Sequence, residues 1–465
     1  MPGLGLPGGG LLAADVTGIL DRHAIPDGFP FVVEDDGGMQ GCRFVNAYLL
    51  QALRQDAYAL RGLRNNHLYH LVRLLRFVRE GRAAAGGGGC LADLTDVTRQ
   101  DLLDYRRSRQ DLVKDTSWQA ESGAVSIFFG YAKSAGWIEA DPVPRWGARR
   151  RNTFRGRAVA TRQIRFLTEP QLRLFLQAGL RGDAPADPGW RPAYPERDYT
   201  FGLLLAATAL RREEGGLLLD CEIPRPEDIA AGGVAEFTRY GKGGRPRTVY
   251  VAVELAREID LFRRSERAVI VQAAQRCLRR RRREGALLVA DGVVTGQGGR
   301  ACLMVGGRRV KPELLGNADR ARAVRVLPDG TIEPLALFTG RAGLPPDLKH
   351  WNTVFAEARR RVAGTGHPDL PPAHLDVSPH VMRHTFAVRM LSGLMRLGRE
   401  RAASPYLLLA NPVLTVQQLL GHASPETTQR YLYAAERYTD ELPAALREHA
   451  AAAAGHAACG PDTSW

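Results

Sequence analysis

The order of apolar and polar positions along the chain predicts a helical first part and a longer, mixed second part. In 67–80, Leu68, Leu71, Leu75 and Val78 recur at helical spacing with Arg73, Arg76 and Arg79 interleaved, as in an amphipathic helix. Gly86 to Gly89 break the pattern. A second helix opens at Thr98, with Asp101 three residues on as its capping-box partner. A third runs from about Ser117 through Val125, Phe128, Phe129 and Ala132, stops near Gly136, and Asp141-Pro142 closes the unit. Residues 1–41 read as a flexible, Gly-rich leader and 42–145 as a small all-helical domain.

The second part begins at about 166. Thr168-Glu169-Pro170-Gln171 is a helix start, and Tyr199 to Leu210 reads as a buried helix. Val234 to Tyr240 and Arg247 to Val253 are β-rich runs around Gly241-Lys242-Gly243-Gly244, which predicts a hairpin. Residues 254–285 are helical and end in Arg279 to Arg283, whereas 286–345 mix Gly and β-branched residues in no placeable pattern. Trp351, Val354, Phe355, Ala358 and Val362 mark an amphipathic helix, and from Ser378 onward the chain is mostly helical. The expected fold is mainly α with a small β-hairpin or sheet (α+β), with a domain over 166–440 and a low-complexity tail over 441–465.

Composition narrows the function. The longest apolar stretch, Leu203 to Leu210, is far too short to span a bilayer, so no membrane partner is expected. Six scattered cysteines without a C-x-x-C pair disfavour a disulfide framework and a zinc ribbon, and fit a reducing cytoplasm. A net charge of +14 and a pI near 9.8 point to a polyanion, nucleic acid first. Base composition is the competing explanation, because 59 of the 64 basic residues are arginine. One arginine is therefore weak evidence, while each of the five lysines needs a reason. Between 145 and 165 there are eight arginines and almost no acid, which reads as an extended basic linker over 146–165, with Arg149, Arg150 and Arg151 as candidates for lying along phosphates.

The chemistry concentrates near the end. Ser378 and Pro379 fix a helix start, placing His380 in the first turn and Arg383 three residues on, on the same face. Free backbone N–H groups, imidazole and guanidinium together make an anion site. His380 and His384 have the spacing of a zinc pair, but Val381 stands where that pattern needs Glu, so no metal is expected. Thr415 and Gln418 form a capping box, Gly421 ends that helix, and His422 follows. Ser424-Pro425 starts another helix that carries Tyr431. A tyrosine beside a phosphate site with two histidines can be a nucleophile.

His380-x-x-Arg383-His-Thr-Phe-Ala387, then Leu-Leu-Gly-His422, then Thr-Thr-Gln-Arg-Tyr431 resembles the tyrosine recombinase (phage integrase) family. Thr208-Ala-Leu-Arg211-Arg-Glu-Glu214 resembles its first-arginine motif, with Ala209 where Gly is usual, and the tip Gly241 to Arg247 resembles its hairpin lysine. The helical 42–145 unit resembles its DNA core-binding domain, and 166–440 its catalytic domain. Two stretches depart from the pattern: 264–345 and 396–411 are enlarged.

The resemblance implies that Tyr431 attacks a DNA phosphodiester, giving a 3′-phosphotyrosine and a free 5′-hydroxyl, with a second 5′-hydroxyl reversing the step. No cofactor is implied, because the covalent ester keeps the bond energy. Arg211 and Arg383 would clamp the non-bridging oxygens, His380 would serve as general base, and His422 would donate to a phosphate oxygen. Lys242 would protonate the leaving oxygen, which arginine cannot do at neutral pH. Glu214 would orient Arg211, and His384 would be structural. The implied partner is double-stranded DNA, engaged by a homotetramer on two sites with accessory DNA-bending or directionality factors, in the cytoplasm with the nucleoid. The implied role is integration or excision of a phage or mobile element. The alternative is a relaxing enzyme like type IB topoisomerases, which share the Arg, Lys and Tyr chemistry.

Overall fold

The computed structural model describes residues 18, 20–26, 29–33, 42–55, 62–84, 93–110, 112–146, 151–155, 164–183, 191–230, 233–241, 246–295, 301–365, 376–402, 411–422 and 425–438. These fall into two units, Met1–Arg162 and Gln163–Trp465, each with its own core. The described residues are mostly helical with small sheets.

In the first unit, α1 (Arg43–Arg54) buries Val45, Tyr48, Leu49 and Ala52, and α2 (Tyr69–Ala84) buries Leu71, Leu74, Leu75 and Val78, both at helical spacing. α3 (Arg99–Gln110) starts with the expected box: Thr98 N–H donates to Asp101 Oδ2 at 2.8 Å, and Asp101 N–H to Thr98 Oγ1 at 3.2 Å. α4 (Asp115–Ser134) adds Trp118, Val125, Phe128, Phe129 and Ala132 to the core. Its Glu121 is buried, yet it receives Arg109 Nε and Nη2 at 3.0 Å each, Arg73 at 2.9 Å, and the Tyr105 hydroxyl. Such a charge is tolerable inside only when it is paired in this way.

The arginine-rich stretch turns back on itself where it is described. β1 (Arg145–Trp146) pairs antiparallel with β2 (Arg151–Asn152), and Phe154 is wholly buried in the helical core, its carbonyl accepting from Trp118 Nε1 at 3.0 Å. Asn152 Nδ2 donating to Ser126 Oγ at 3.0 Å and Arg106 Nη1 donating to Thr153 O at 2.6 Å hold the same segment to the helices.

The second unit opens with α5 (Glu169–Leu174), capped by Thr168 and Gln171 as the sequence predicts. The buried helix α6 (Pro195–Thr208) begins earlier than expected, because Pro195 occupies its first turn, and ends before Ala209. α7 (Arg212–Gly216) follows. The hairpin is present: β3 (Val234–Tyr240) pairs with β4 (Pro246–Ala252), Val234 opposite Ala252 and Tyr240 opposite Pro246. The helical stretch that follows is broken into α8 (Val253–Phe262), α9 (Ala268–Ala273) and α10 (Gln275–Arg283).

The stretch that had no readable pattern is layered. β5 (Leu288–Ala290) pairs parallel with β9 (Ala323–Val326), which pairs antiparallel with β10 (Ile332–Pro334). β6 (Gly292–Thr295), β7 (Ala301–Val305) and β8 (Arg308–Val310) form a separate meander. Ala274 and Leu278 pack with Val324 and Ile332, while Ala290, Leu303 and Ala323 share another small core. α11 (Asn317–Arg322) lies between β8 and β9 in sequence. Its Arg320, fully buried, donates to both oxygens of Glu222 at 2.7 and 2.8 Å.

α12 (Leu348–Gly364) buries the five predicted apolar residues. Last come α13 (Pro379–Ala402), α14 (Pro412–Leu420) and α15 (Pro425–Tyr438). α14 starts earlier than predicted. Thr415 is inside it, and the cap is Asn411, whose Oδ1 accepts from Val413 N–H at 3.0 Å. Asn411-Pro412 is the same cap-then-proline signal found at Ser378-Pro379, with the cap four residues before the assumed one. Ala209, Phe386, Leu391, Val416, Leu420, Tyr431 and Ala435 form one apolar cluster, which fixes α13, α14 and α15 against the end of α6.

Candidate active site

Two left-handed turns frame the site. α6 ends at Ala209, with φ +56°, and α14 ends at Gly421, with φ +60°. Glycine suits both conformations, and an alanine there costs about 1–2 kcal/mol. A glycine at position 209 would avoid this cost. Arg383 joins the two turns from α13: its Nη1 donates to Ala209 O and its Nη2 to Leu420 O. It is 2% exposed. Burial, helped by the nearby charges of Arg211 and Arg247, pushes its guanidinium down to about 9, which leaves it charged at neutral pH.

Arg211 caps α7 and is held by Glu214. Its backbone N–H donates to Oε2 at 2.8 Å and its Nη1 to Oε1 at 2.8 Å. Arg247 Nη2 donates to Glu214 Oε2, and its Nη1 to Leu419 O at 3.0 Å. Burial alone would raise the Glu214 carboxyl, but Arg247 and Arg211 outweigh it and hold it below the ordinary value. Arg247 therefore ties the hairpin to both the first-arginine helix and the end of α14. A Cβ at Gly421 would lie 2.8 Å from Arg247 Cδ, so that glycine is required for space as well as for its φ.

Arg247 is the residue that sequence reasoning missed. Its signal was an arginine opening a β-run, indistinguishable from the background of 59.

Two imidazoles lie against Tyr431, and a third lies against one of them. The hydroxyl of Tyr431 lies 2.7 Å from His384 Nδ1. The ring of His380 stands edge-on to that of His384, centroids 4.2 Å apart, and is exposed. The His422 ring is nearly parallel to the Tyr431 ring, at 13° and 6.1 Å, with its Nδ1 3.0 Å from Thr428 Oγ1. The partner of the tyrosine hydroxyl is thus His384, expected to be structural, rather than His380, expected to be the base. Both lie on one face of α13, and the packing of α15 selects between them.

Burial, with neighbouring positive charge, depresses His384 to about 3 and His422 to about 4, while partial burial of one side of its ring, with Arg383 and Arg211 nearby, holds His380 below its ordinary value. Each is neutral at pH 7, with one N–H and one lone pair. Burial raises the Tyr431 phenol, against the opposing pull of Arg383 and Arg430. The cations of the cluster are guanidiniums, and Glu214 offsets one of them. The arrangement can hold an anion and present a phenol hydroxyl to it.

The other sequence candidates stand as follows. Lys242, Arg149 and Arg150 lie outside the described residues, and Arg151 is in β2. Gly241 and Pro246 border the hairpin tip. Among the described residues, no cluster of His, Cys, Asp or Glu could hold a metal ion, and no helix is long and apolar enough to cross a membrane.

No protein-family model matches the chain. In sequence the chain is similar to the tyrosine recombinase XerC of Rhizobium meliloti (strain 1021): 30% identity over 141 residues, or 30% of this chain and 34% of that one. It thus spans about a third of the length of that relative. Among solved structures, it is similar to the Tn1549 transposon integrase in complex with circular intermediate DNA (15% identity, 84% of this chain and 94% of the other, TM-score 0.43). It is similar to the XerH site-specific recombinase bound to palindromic difH (12%, 84% and 81%, TM-score 0.44). It is also similar to a lambda integrase dimer bound to a COC′ core site (14%, 84% and 94%, TM-score 0.40).

Proposed function

We propose that the chain is a site-specific DNA recombinase that cuts and rejoins strands through Tyr431. The Tyr431 oxygen attacks a phosphodiester phosphorus, the bond from phosphorus to the 5′-oxygen breaks, and a 3′-phosphotyrosine remains. Lys242 gives the leaving oxygen its proton. A 5′-hydroxyl from another strand then attacks the phosphotyrosine and restores a phosphodiester. Arg211 and Arg383 stabilise the charge that grows on the non-bridging oxygens. His422, neutral, donates to one of them. His384 and His380 form the pair at which the tyrosine proton departs, with His384 on the hydroxyl and His380 on the exposed side. The observation that carries this reading is the Tyr431 hydroxyl 2.7 Å from a neutral imidazole, in a pocket that contains Arg383 and Arg211.

The partner is double-stranded DNA, with Arg149, Arg150 and Arg151 on its phosphates. Lambda integrase is described as a dimer on a core site and as a tetramer on a Holliday junction. A homotetramer on two sites is the corresponding assembly here, serving integration or excision of a mobile element next to the nucleoid, with accessory bending or directionality factors.

The test is covalent trapping. Nicked duplexes made from the DNA that flanks the gene are incubated with the protein and run on a denaturing gel. Wild type forms an adduct and Tyr431→Phe does not. An adduct that survives Tyr431→Phe removes the assignment, and a relaxed plasmid without junction products would move the reading to a topoisomerase.

A further inference from the structure

The enlarged segment carries an arginine stripe with no part in the chemistry above. Within α10, Arg276, Arg279, Arg280, Arg282 and Arg283 are exposed. At 100° per residue all of them but Arg282 fall within a wedge of roughly 100°, opposite the face on which Ala274 and Leu278 are buried. That buried face is fixed: Gln275 Nε2 donates to Ile332 O at 2.9 Å, and Ile332 N–H donates to Gln275 Oε1 at 3.0 Å. The stripe is therefore held rigidly on the layered sheet.

Background arginine usage does not account for the stripe. It would scatter arginines over the surface with acids among them. Here the ion pair seen among the described residues is Arg280 to Glu284 at 3.8 Å. Like charges three and four residues apart destabilise a helix by about 0.2–0.5 kcal/mol per pair. Cations at the last turn gain from the helix dipole, but that gain fades within one turn and does not reach Arg276.

We propose that this face of α10 is a second DNA contact, seated on the phosphate backbone of the duplex. The proposal rests on the recombinase reading and names a surface which that reading leaves unused. From Arg276 to Arg283 the helix rises about 10 Å. A duplex carries one charge per about 1.7 Å of its axis, so about six phosphates fall within that span. Guanidinium groups suit them through paired donors, without sequence preference.

The test is the salt dependence of binding to a duplex of arbitrary sequence, read by fluorescence anisotropy. Arg279→Gln with Arg283→Gln should lower the log–log slope by up to about 1.8, at 0.9 per contact. Affinity lost between roughly 50 and 200 mM salt should then shrink about tenfold relative to wild type. Arg279→Lys with Arg283→Lys should keep most of the slope. Arg308→Gln with Arg309→Gln, exposed on β8, removes the same charge elsewhere and should change the slope less. An unchanged slope in the α10 variant overturns the proposal, as does an equal drop in the β8 variant, which would mean net charge alone. Loss of heparin affinity with the duplex slope intact overturns it as well. Wild type that binds no duplex sinks both readings. Wild type that binds duplex with the expected α10 effect, but forms no Tyr431 adduct, sinks the recombinase reading alone.

Discussion

The hydroxyl of Tyr431 and Nδ1 of His384 are 2.7 Å apart, although 47 residues separate them in the chain. Burial and surrounding positive charge hold this imidazole neutral, at about 3, so Nδ1 can accept from the phenol when the ring proton sits on Nε2. A neutral acceptor positions the hydroxyl in the resting chain. A bound phosphate would offset the positive charge around it and make proton transfer easier.

This relationship gives the first prediction. In single-turnover trapping, His384→Ala should slow adduct formation on the order of 10²-fold, the usual scale of one general base. His384→Gln, which can still accept from the hydroxyl, should recover part of that loss. His380→Ala should cost less than His384→Ala. If His384→Ala reacts at the wild-type rate while His380→Ala does not, the hydroxyl leaves this bond before attack and the exposed imidazole is the base.

Lys242 is tested through its leaving group. Lys242→Ala should cripple cleavage of an ordinary phosphodiester. A substrate with a bridging 5′-sulfur expels a thiolate that needs no proton and should restore much of the rate. Equal impairment on both substrates would make Lys242 a DNA-binding residue.

Arg247 offers a stability test away from the reacting atoms. Arg247→Met leaves the buried Glu214 with Arg211 alone and removes a donor from Leu419 O. Breaking a buried pair costs about 3–5 kcal/mol, and the surviving Arg211 bond should bring this towards about 2–3 kcal/mol. Urea unfolding measures it. Glu214→Gln combined with Arg247→Met should cost less than the sum of the two single changes. Strict additivity would mean that the two side chains do not act as one unit.

The histidines set a pH dependence. His67, His384 and His422 are each pushed down, first by burial, to about 4, 3 and 4. Their ordinary value is 6.5, so between about pH 6.5 and 4 the unfolded chain binds more protons than the folded one. Stability should fall as pH falls through that window. Asp198, raised by burial to about 6, opposes this, because its folded form takes up a proton first. His70, His350 and His380 are also lowered and Asp93 and Glu266 also raised, each first by burial, so six groups against three leave a net loss on acidification. A melting temperature that holds or rises from about pH 7 to 4.5 would contradict the burial of these rings.

The sequence alone determined most of what depends on near neighbours, the start of α14 excepted. Ser378-Pro379 and Gly421 set helix ends through backbone chemistry within a turn, and the Thr98–Asp101 and Thr168–Gln171 boxes closed as read. The apolar spacing of α12 named its buried face, and the β-rich runs around Gly241 to Gly244 named the hairpin of β3 and β4. Arg383, His422 and Tyr431 were visible for the same reason, since each follows a local turn signal, whereas Arg211 was found only through the family resemblance. Other features required the tertiary structure. Spacing puts His380 and His384 on one face of α13 but cannot say which meets Tyr431; the packing of Ala435 and Leu420 beside Phe386 decides that. Arg247 gains its role only because β4 passes Glu214 and Leu419, residues 33 and 172 positions away. The parallel pairing of β5 with β9 joins strands of three and four residues, 35 positions apart, too short to carry a period. An apolar pattern records which face is buried, and only the packed chain supplies the group that lies against it.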